Sequence, residues 1–182
     1  MHDFAESLKA SHAASDLPIW EEVYRQAFPS FAGMIDHRQD GEHQRAGIDR
    51  SVILQNSKQI LIDEKVRGRN KKTGMVYGDI ALEYWSNFQA KTPGWVCKPL
   101  RADYIAYAIA PLGKCYLLPV IQLQIAWERC GEWWIENYQP PICAVNRCGY
   151  DSSYTTVSVG VPVKDVFREI GGALRVAFQP FG

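Results

Sequence analysis

The sequence predicts an α/β fold from three observations. Leu17, Trp20, Tyr24, Ala27 and Phe28 recur at helical spacing behind Asp16, a good N-cap, and Pro18, and Pro29 stops the run. Two β-like runs, 47–54 and 59–67, are joined by Gln55-Asn56-Ser57-Lys58, which is turn chemistry. A mostly apolar segment follows Pro119 to about residue 129, as expected of a helix buried against a sheet.

The remaining elements fall between these. Residues 1–15 show weak periodicity and read as a frayed helix or loose arm. Glu21 and Glu22 suit the positive end of the first helix dipole, and Glu21 is also an accessory acid that a first helix can lend to a site. Residues 33–46 are polar and read as an exposed loop or the lip of a site. His37 and His43 there lack a second spaced pair of metal ligands and are expected at the surface, with Gln44 and Asp40 as accessory polar residues. The run 78–85 alternates, with Asp79, Ala81 and Glu83 on one face and Ile80, Leu82 and Tyr84 on the other. Residues 91–95 form a turn or loop, and 103–110 and 114–118 are strands broken by Pro111-Leu112-Gly113. The apolar helix ends near Gly131. A short helix over 132–138 follows, with Trp133 and Trp134 in packing roles, until Pro140-Pro141 breaks it. Strands at 142–147 and 154–159, a helix at 163–170 and a tail strand or arm at 173–178 complete the chain.

At 182 residues, 47% hydrophobic and 22% charged, the chain is expected to form one domain spanning 1–182. No stretch approaches the roughly 18 apolar residues of a membrane helix, and the N-terminus lacks a basic region followed by an apolar run. The expectation is a cytoplasmic protein without a membrane partner. The odd count of five cysteines, with Cys97, Cys115 and Cys130 in apolar or mixed surroundings, suits a reducing compartment, and the spacing of Cys143 and Cys148 is not the tight pairing of structural zinc. Zero net charge excludes nucleic-acid binding driven by the whole surface. Lys65, Arg67, Arg69, Lys71 and Lys72 nevertheless cluster with no acid after Glu64, leaving a local basic patch.

The chemistry lies in the hairpin, because strand side chains alternate faces. Asp63 and Lys65 share a face with Leu61; Glu64 shares the other with Ile60, Ile62 and Val66. A three-residue turn over 56–58 sets Asp49 opposite Lys65 and Ser51 opposite Asp63, whereas a two-residue turn sets Asp49 opposite Glu64. Acids that directly follow the aliphatic triplet Ile60-Leu61-Ile62 need a partner or a metal. Asp49 and Asp63 are hard oxygen ligands of the kind Mg2+ takes, and Lys65 would stand beside a phosphate held there. Glu83, on the next strand, can join them.

Gly47-Ile48-Asp49 and, after the turn, Asp63-Glu64-Lys65 resemble the motif of the PD-(D/E)XK nuclease superfamily, with Ile48 where the motif's name has proline. The resemblance covers roughly residues 16–130 and leaves about 140–182 as a C-terminal extension. It implies a central mixed β-sheet flanked by helices, a restriction-endonuclease-like core. It also implies that Asp49 and Asp63 bind Mg2+ (Mn2+ as substitute), that the Glu64 main-chain carbonyl adds a ligand, and that Lys65 is catalytic. The expected activity is magnesium-dependent hydrolysis of nucleic-acid phosphodiester bonds, most readily as a DNA endonuclease, with Glu83 in the catalytic set and Arg67, Arg69, Lys71 and Lys72 on the nucleic acid. Cutting both strands of a duplex would favour a homodimer. The alternative is a module that keeps the fold and binds nucleic acid without cutting. The chain carries neither a Gly-x-Ser-x-Gly elbow nor a phosphate-binding loop.

Overall fold

The computed structural model describes residues 19–70, 73–148 and 152–181. The order is α1 (Ile19–Ala27), β1 (Phe31–Asp36), α2 (Gly41–Arg45), β2 (Arg50–Leu54), β3 (Gln59–Arg67), β4 (Asp79–Asn87), β5 (Thr92–Pro93), β6 (Tyr104–Ile109), a 3-10 turn (Ala110–Leu112), β7 (Lys114–Pro119), α3 (Val120–Asn137), β8 (Ile142–Cys148), β9 (Ser152–Pro162), α4 (Val163–Ile170) and β10 (Leu174–Ala177). The α/β class is as expected. The strands, however, form two sheets: a mixed six-stranded one, β1-β2-β3-β6-β7-β10, and an antiparallel four-stranded one, β5-β4-β9-β8. Only β3 and β6 run parallel in the larger sheet, and the chain between them detours through β4 and β5. No helix among the described residues is long and apolar enough to cross a membrane.

The larger sheet buries both faces, so it separates two cores. On one face Val52, Ile62, Ala106, Ala108, Cys115 and Leu117 meet Trp20, Val23 and Tyr24 of α1. These three α1 side chains are fully buried, and each contributes roughly 1.5–3 kcal/mol of hydrophobic stabilisation. On the other face Ile105, Tyr107, Ile109, Tyr116 and Leu118 pack against Ile80, Leu82, Val159 and Val161 of the second sheet, with α3 and α4 closing the layer. Alternation along β3 therefore divides its side chains: Ile62 and Glu64 face α1, and Asp63, Lys65 and Arg67 face the second sheet.

Several local expectations need correction. Residues 33–46 are not a loop throughout: β1 adds an edge strand to β2, and Asp40 caps α2 by accepting from the Glu42 and His43 N–H groups. One continuous helix, α3, replaces the two expected over 119–138. Gly131 lies inside it, at a position where a Cβ would meet the Trp127 ring at 2.9 Å. Beyond residue 140 the chain is no appendage to this architecture, since β10 pairs with β7 in the larger sheet and β9 with β4 in the smaller. The proposed N-cap at Asp16, and residues 1–15 with it, lie outside the described residues.

Candidate functional site

The hairpin turn has three residues, but they are Gln55, Asn56 and Ser57. Ser57 takes a positive φ of 64° and donates its N–H to the Leu54 carbonyl, while Leu54 N–H reaches Lys58. The register is thereby moved by two residues from the expected one, with Arg50 opposite Ile62 and Ser51 opposite Leu61. A shift of two preserves the faces. One step past the Arg50–Ile62 pair, Asp49 comes beside Asp63 rather than Lys65.

Asp49 is fixed from several sides. Its N–H donates to the Ile62 carbonyl at 2.8 Å and its carbonyl accepts from His37 N–H at 2.8 Å. Its Oδ2 accepts the Glu64 N–H at 2.8 Å and its Oδ1 accepts Gln44 Nε2 at 2.9 Å. Gln44 is thus an orienting residue delivered by α2, whose single turn depends on the Asp40 cap. The N–H and C=O of one strand residue point to the same edge, so the Glu64 carbonyl also faces the Asp49 edge, beyond the last β2–β3 pair.

Asp63 is 4% exposed and its Oδ1 accepts a hydrogen bond from Lys65 Nζ. Burial pushes its carboxyl up to about 6; Lys65 pulls it down, and Asp49 pushes it up again. Lys65, its side chain 32% exposed, feels Asp63, Asp49 and Glu83, and their combined charge raises its ammonium pKa against the opposing pull of burial. Burial likewise raises the Glu83 carboxyl, with Lys65 and Lys98 opposing. Three acids therefore converge on Lys65, with Lys98 at the margin.

Glu83 belongs to the other sheet, and two contacts carry it there. Arg67 of β3 pairs with Asp79 of β4 at 2.7 Å, and the Tyr107 hydroxyl of β6 accepts the Ala81 N–H at 2.9 Å. Since Asp79, Ala81 and Glu83 share a face, pinning the first two brings the third to Lys65. Gly94 closes the other side: a Cβ there would lie 2.2 Å from the Glu83 carbonyl oxygen and 2.9 Å from its Cγ. Gly94→Ala must therefore move backbone, and a loss of about 1–3 kcal/mol is expected, read by denaturant unfolding.

The other proposed site residues lie elsewhere. Arg67 is not a surface cation: its guanidinium stacks 3.9 Å from the Tyr77 ring and pairs with Asp79. Glu21 stays on the exposed face of α1, paired with Arg25 at 2.6 Å. The Glu64 side chain points to the α1 face, where its Oε1 accepts Tyr24 OH at 2.7 Å and Arg50 Nε at 2.6 Å. Arg69 is exposed beyond the end of β3, and Lys71 and Lys72 lie outside the described residues. Lys98 went unnoticed in the sequence because nothing local links it to Glu83; Gln124 fixes its backbone by donating to the Lys98 carbonyl at 2.8 Å.

Two adjacent carboxylates and a third nearby, against Lys65 and Lys98 at the margin, leave an excess of negative charge that a hard cation would balance. The donors Asp49, Asp63 and the Glu64 carbonyl edge suit Mg2+ in chemistry. Comparison with protein-family models, with curated proteins and with solved structures finds no match to this chain.

Proposed function

We propose that the protein is a magnesium-dependent nuclease of restriction-endonuclease-like type, hydrolysing phosphodiester bonds and most readily cutting DNA. The observation that carries this reading is Asp63 hydrogen-bonded to Lys65 with Asp49 held beside it on the same face, and Glu83 within electrostatic reach. An excess of carboxylate beside one ammonium is poorly suited to holding a phosphate alone, and well suited to holding it through a metal.

Bound Mg2+ would neutralise phosphate charge and ease deprotonation of an attacking water. The chain's own residues supply the rest. Asp49 and Asp63 would hold the cation, Asp49 having its orientation set by Gln44 and the Glu64 N–H. Lys65 keeps its proton, because the surrounding acids raise its pKa, and so offers a fixed positive charge to a non-bridging phosphate oxygen. Its hydrogen bond to Asp63 holds Nζ in place before substrate arrives. Glu83 is within electrostatic reach of Lys65 and can orient water on that side.

The test is cleavage of plasmid and linear DNA, with RNA in parallel, by purified protein in Mg2+ or Mn2+. Cutting that EDTA abolishes is expected. Lys65→Met should lower the rate about 10²–10³-fold, the usual cost of one preorganised charge, with the circular dichroism spectrum unchanged. Absence of metal-dependent cutting on every substrate, or full activity in Lys65→Met, overturns the reading.

A further inference from the structure

A second cluster of metal-ligating side chains lies beside the acidic site but is chemically different from it. His37 follows β1, Asp40 caps α2 and His43 lies on α2; one ligand atom from each falls within 4.8 Å of the others. The two imidazole rings stack with centroids 3.9 Å apart and planes 5° from parallel. His43 Nδ1 is 2.8 Å from Asp40 Oδ2, and His37 Nε2 is 2.8 Å from Ser51 Oγ. Asp40 Oδ1 is separately occupied with capping α2.

We propose that His37, Asp40 and His43 form a binding site for a borderline divalent cation, Zn2+ in the first instance. The donor set is two nitrogens and one carboxylate oxygen, which is the three-ligand set with one open position that Zn2+ accepts. In a tetrahedral Zn2+ site, bond lengths near 2.0–2.1 Å place neighbouring donors about 3.3 Å apart. Closing the present spread to that requires the two imidazoles to rotate out of their stack, so that their in-plane lone pairs converge on the ion. The same set rejects Mg2+, which demands an octahedron of oxygens. A bound ion would tie the end of β1 to α2, and with it the turn that presents Gln44 to Asp49. The proposal does not depend on the nuclease reading, because none of its donors belongs to the acidic cluster.

The experiment is isothermal titration of the full chain with ZnCl2 at pH 7.5, in parallel with Co2+ absorption spectroscopy. One ion per chain with micromolar or tighter affinity is expected, unaffected by millimolar Mg2+ and retained in Asp63→Asn. His43→Gln and Asp40→Asn should each weaken it at least tenfold. Asn is as good an N-cap as Asp, so Asp40→Asn removes the charged ligand without unwinding α2, and an unchanged melting temperature in EDTA would verify that. The Co2+ complex should show the intense visible bands of four-coordination, lost in His37→Gln. Millimolar binding only, binding indifferent to Asp40→Asn and His43→Gln, or binding lost in Asp63→Asn overturns the proposal.

Discussion

Asp63→Asn is expected to lose metal-dependent cleavage by about 10³-fold or more while unfolding at the same temperature as the parent or a higher one. The activity loss follows from removing a carboxylate that would hold the cation: metal charge stabilisation contributes several kcal/mol, and each 1.36 kcal/mol is a factor of ten. The stability result follows from the sign of the pKa shift. The Asp63 carboxyl is raised from 3.8 to about 6, chiefly by burial, so folding disfavours its ionised form. An acid raised in this way adds stability at low pH that is lost as pH climbs from about 4 to 6. At pH 7.5 the ionised side chain therefore costs on the order of 1–3 kcal/mol, and a neutral amide of the same shape avoids that cost. A variant that melts much earlier at pH 7.5 in EDTA would show instead that the Asp63–Lys65 contact is structural. The same shift predicts that cleavage by the parent protein falls as pH drops through about 6, where Asp63 takes up a proton.

The acidic hairpin was legible because a strand's period is two and the motif is local: Asp63-Glu64-Lys65 divides its side chains between faces by alternation alone. A turn displaced by one residue changed which residues stand opposite each other and left the faces intact, so the cluster of Asp49, Asp63 and Lys65 was insensitive to the error. Elements with strong local signals were also readable, such as the helix at Val163–Ile170 between Pro162 and Gly171.

What escaped the sequence was set by long-range pairing or by one side chain. The 33–46 segment looked like a loop because Gly33 interrupts the alternation and one cap, Asp40, sustains the whole of α2. The intrinsic cost of a mid-helix glycine, about 1 kcal/mol, argued for a stop at Gly131. Packing of Trp127 and Trp134 in the core overrides it. That β4 leaves the sheet of β3 could not be read locally, since its main partner β9 lies far along the chain. Arg67 read as a phosphate ligand for the same reason: its partner Asp79 comes to it only through the meeting of two sheets.

The largest stability effect is expected at Glu64, the member of the motif whose side chain faces away from the site. It is 7% exposed, hydrogen-bonded at Oε1 to Tyr24 and Arg50, and its Oε2 has no hydrogen-bond partner among the described residues. Glu64→Ala removes the acceptor for both donors and opens a cavity beneath α1, next to Arg50, which is itself 6% exposed and lies 3.6 Å from Asp36. Breaking a buried pair from one side costs about 3–5 kcal/mol. At roughly 2–4 °C per kcal/mol for a chain of this size, the melting temperature should fall by about 10 °C. Glu64→Gln keeps an acceptor oxygen and should lose far less. Burial pushes the Glu64 carboxyl up to about 7 even though Arg50 and Tyr24 both favour its charged form. Its contribution, like that of Asp63, is therefore greatest at low pH and fades as pH rises from about 4.5 to 7. In EDTA, the parent protein should lose stability between about pH 4 and 7, and the double variant of Asp63→Asn and Glu64→Gln should show a flatter profile. Equal slopes in the two proteins would place the pH dependence elsewhere, and a Glu64→Ala protein as stable as the parent would remove Glu64 from the account of how α1 is held to the sheet.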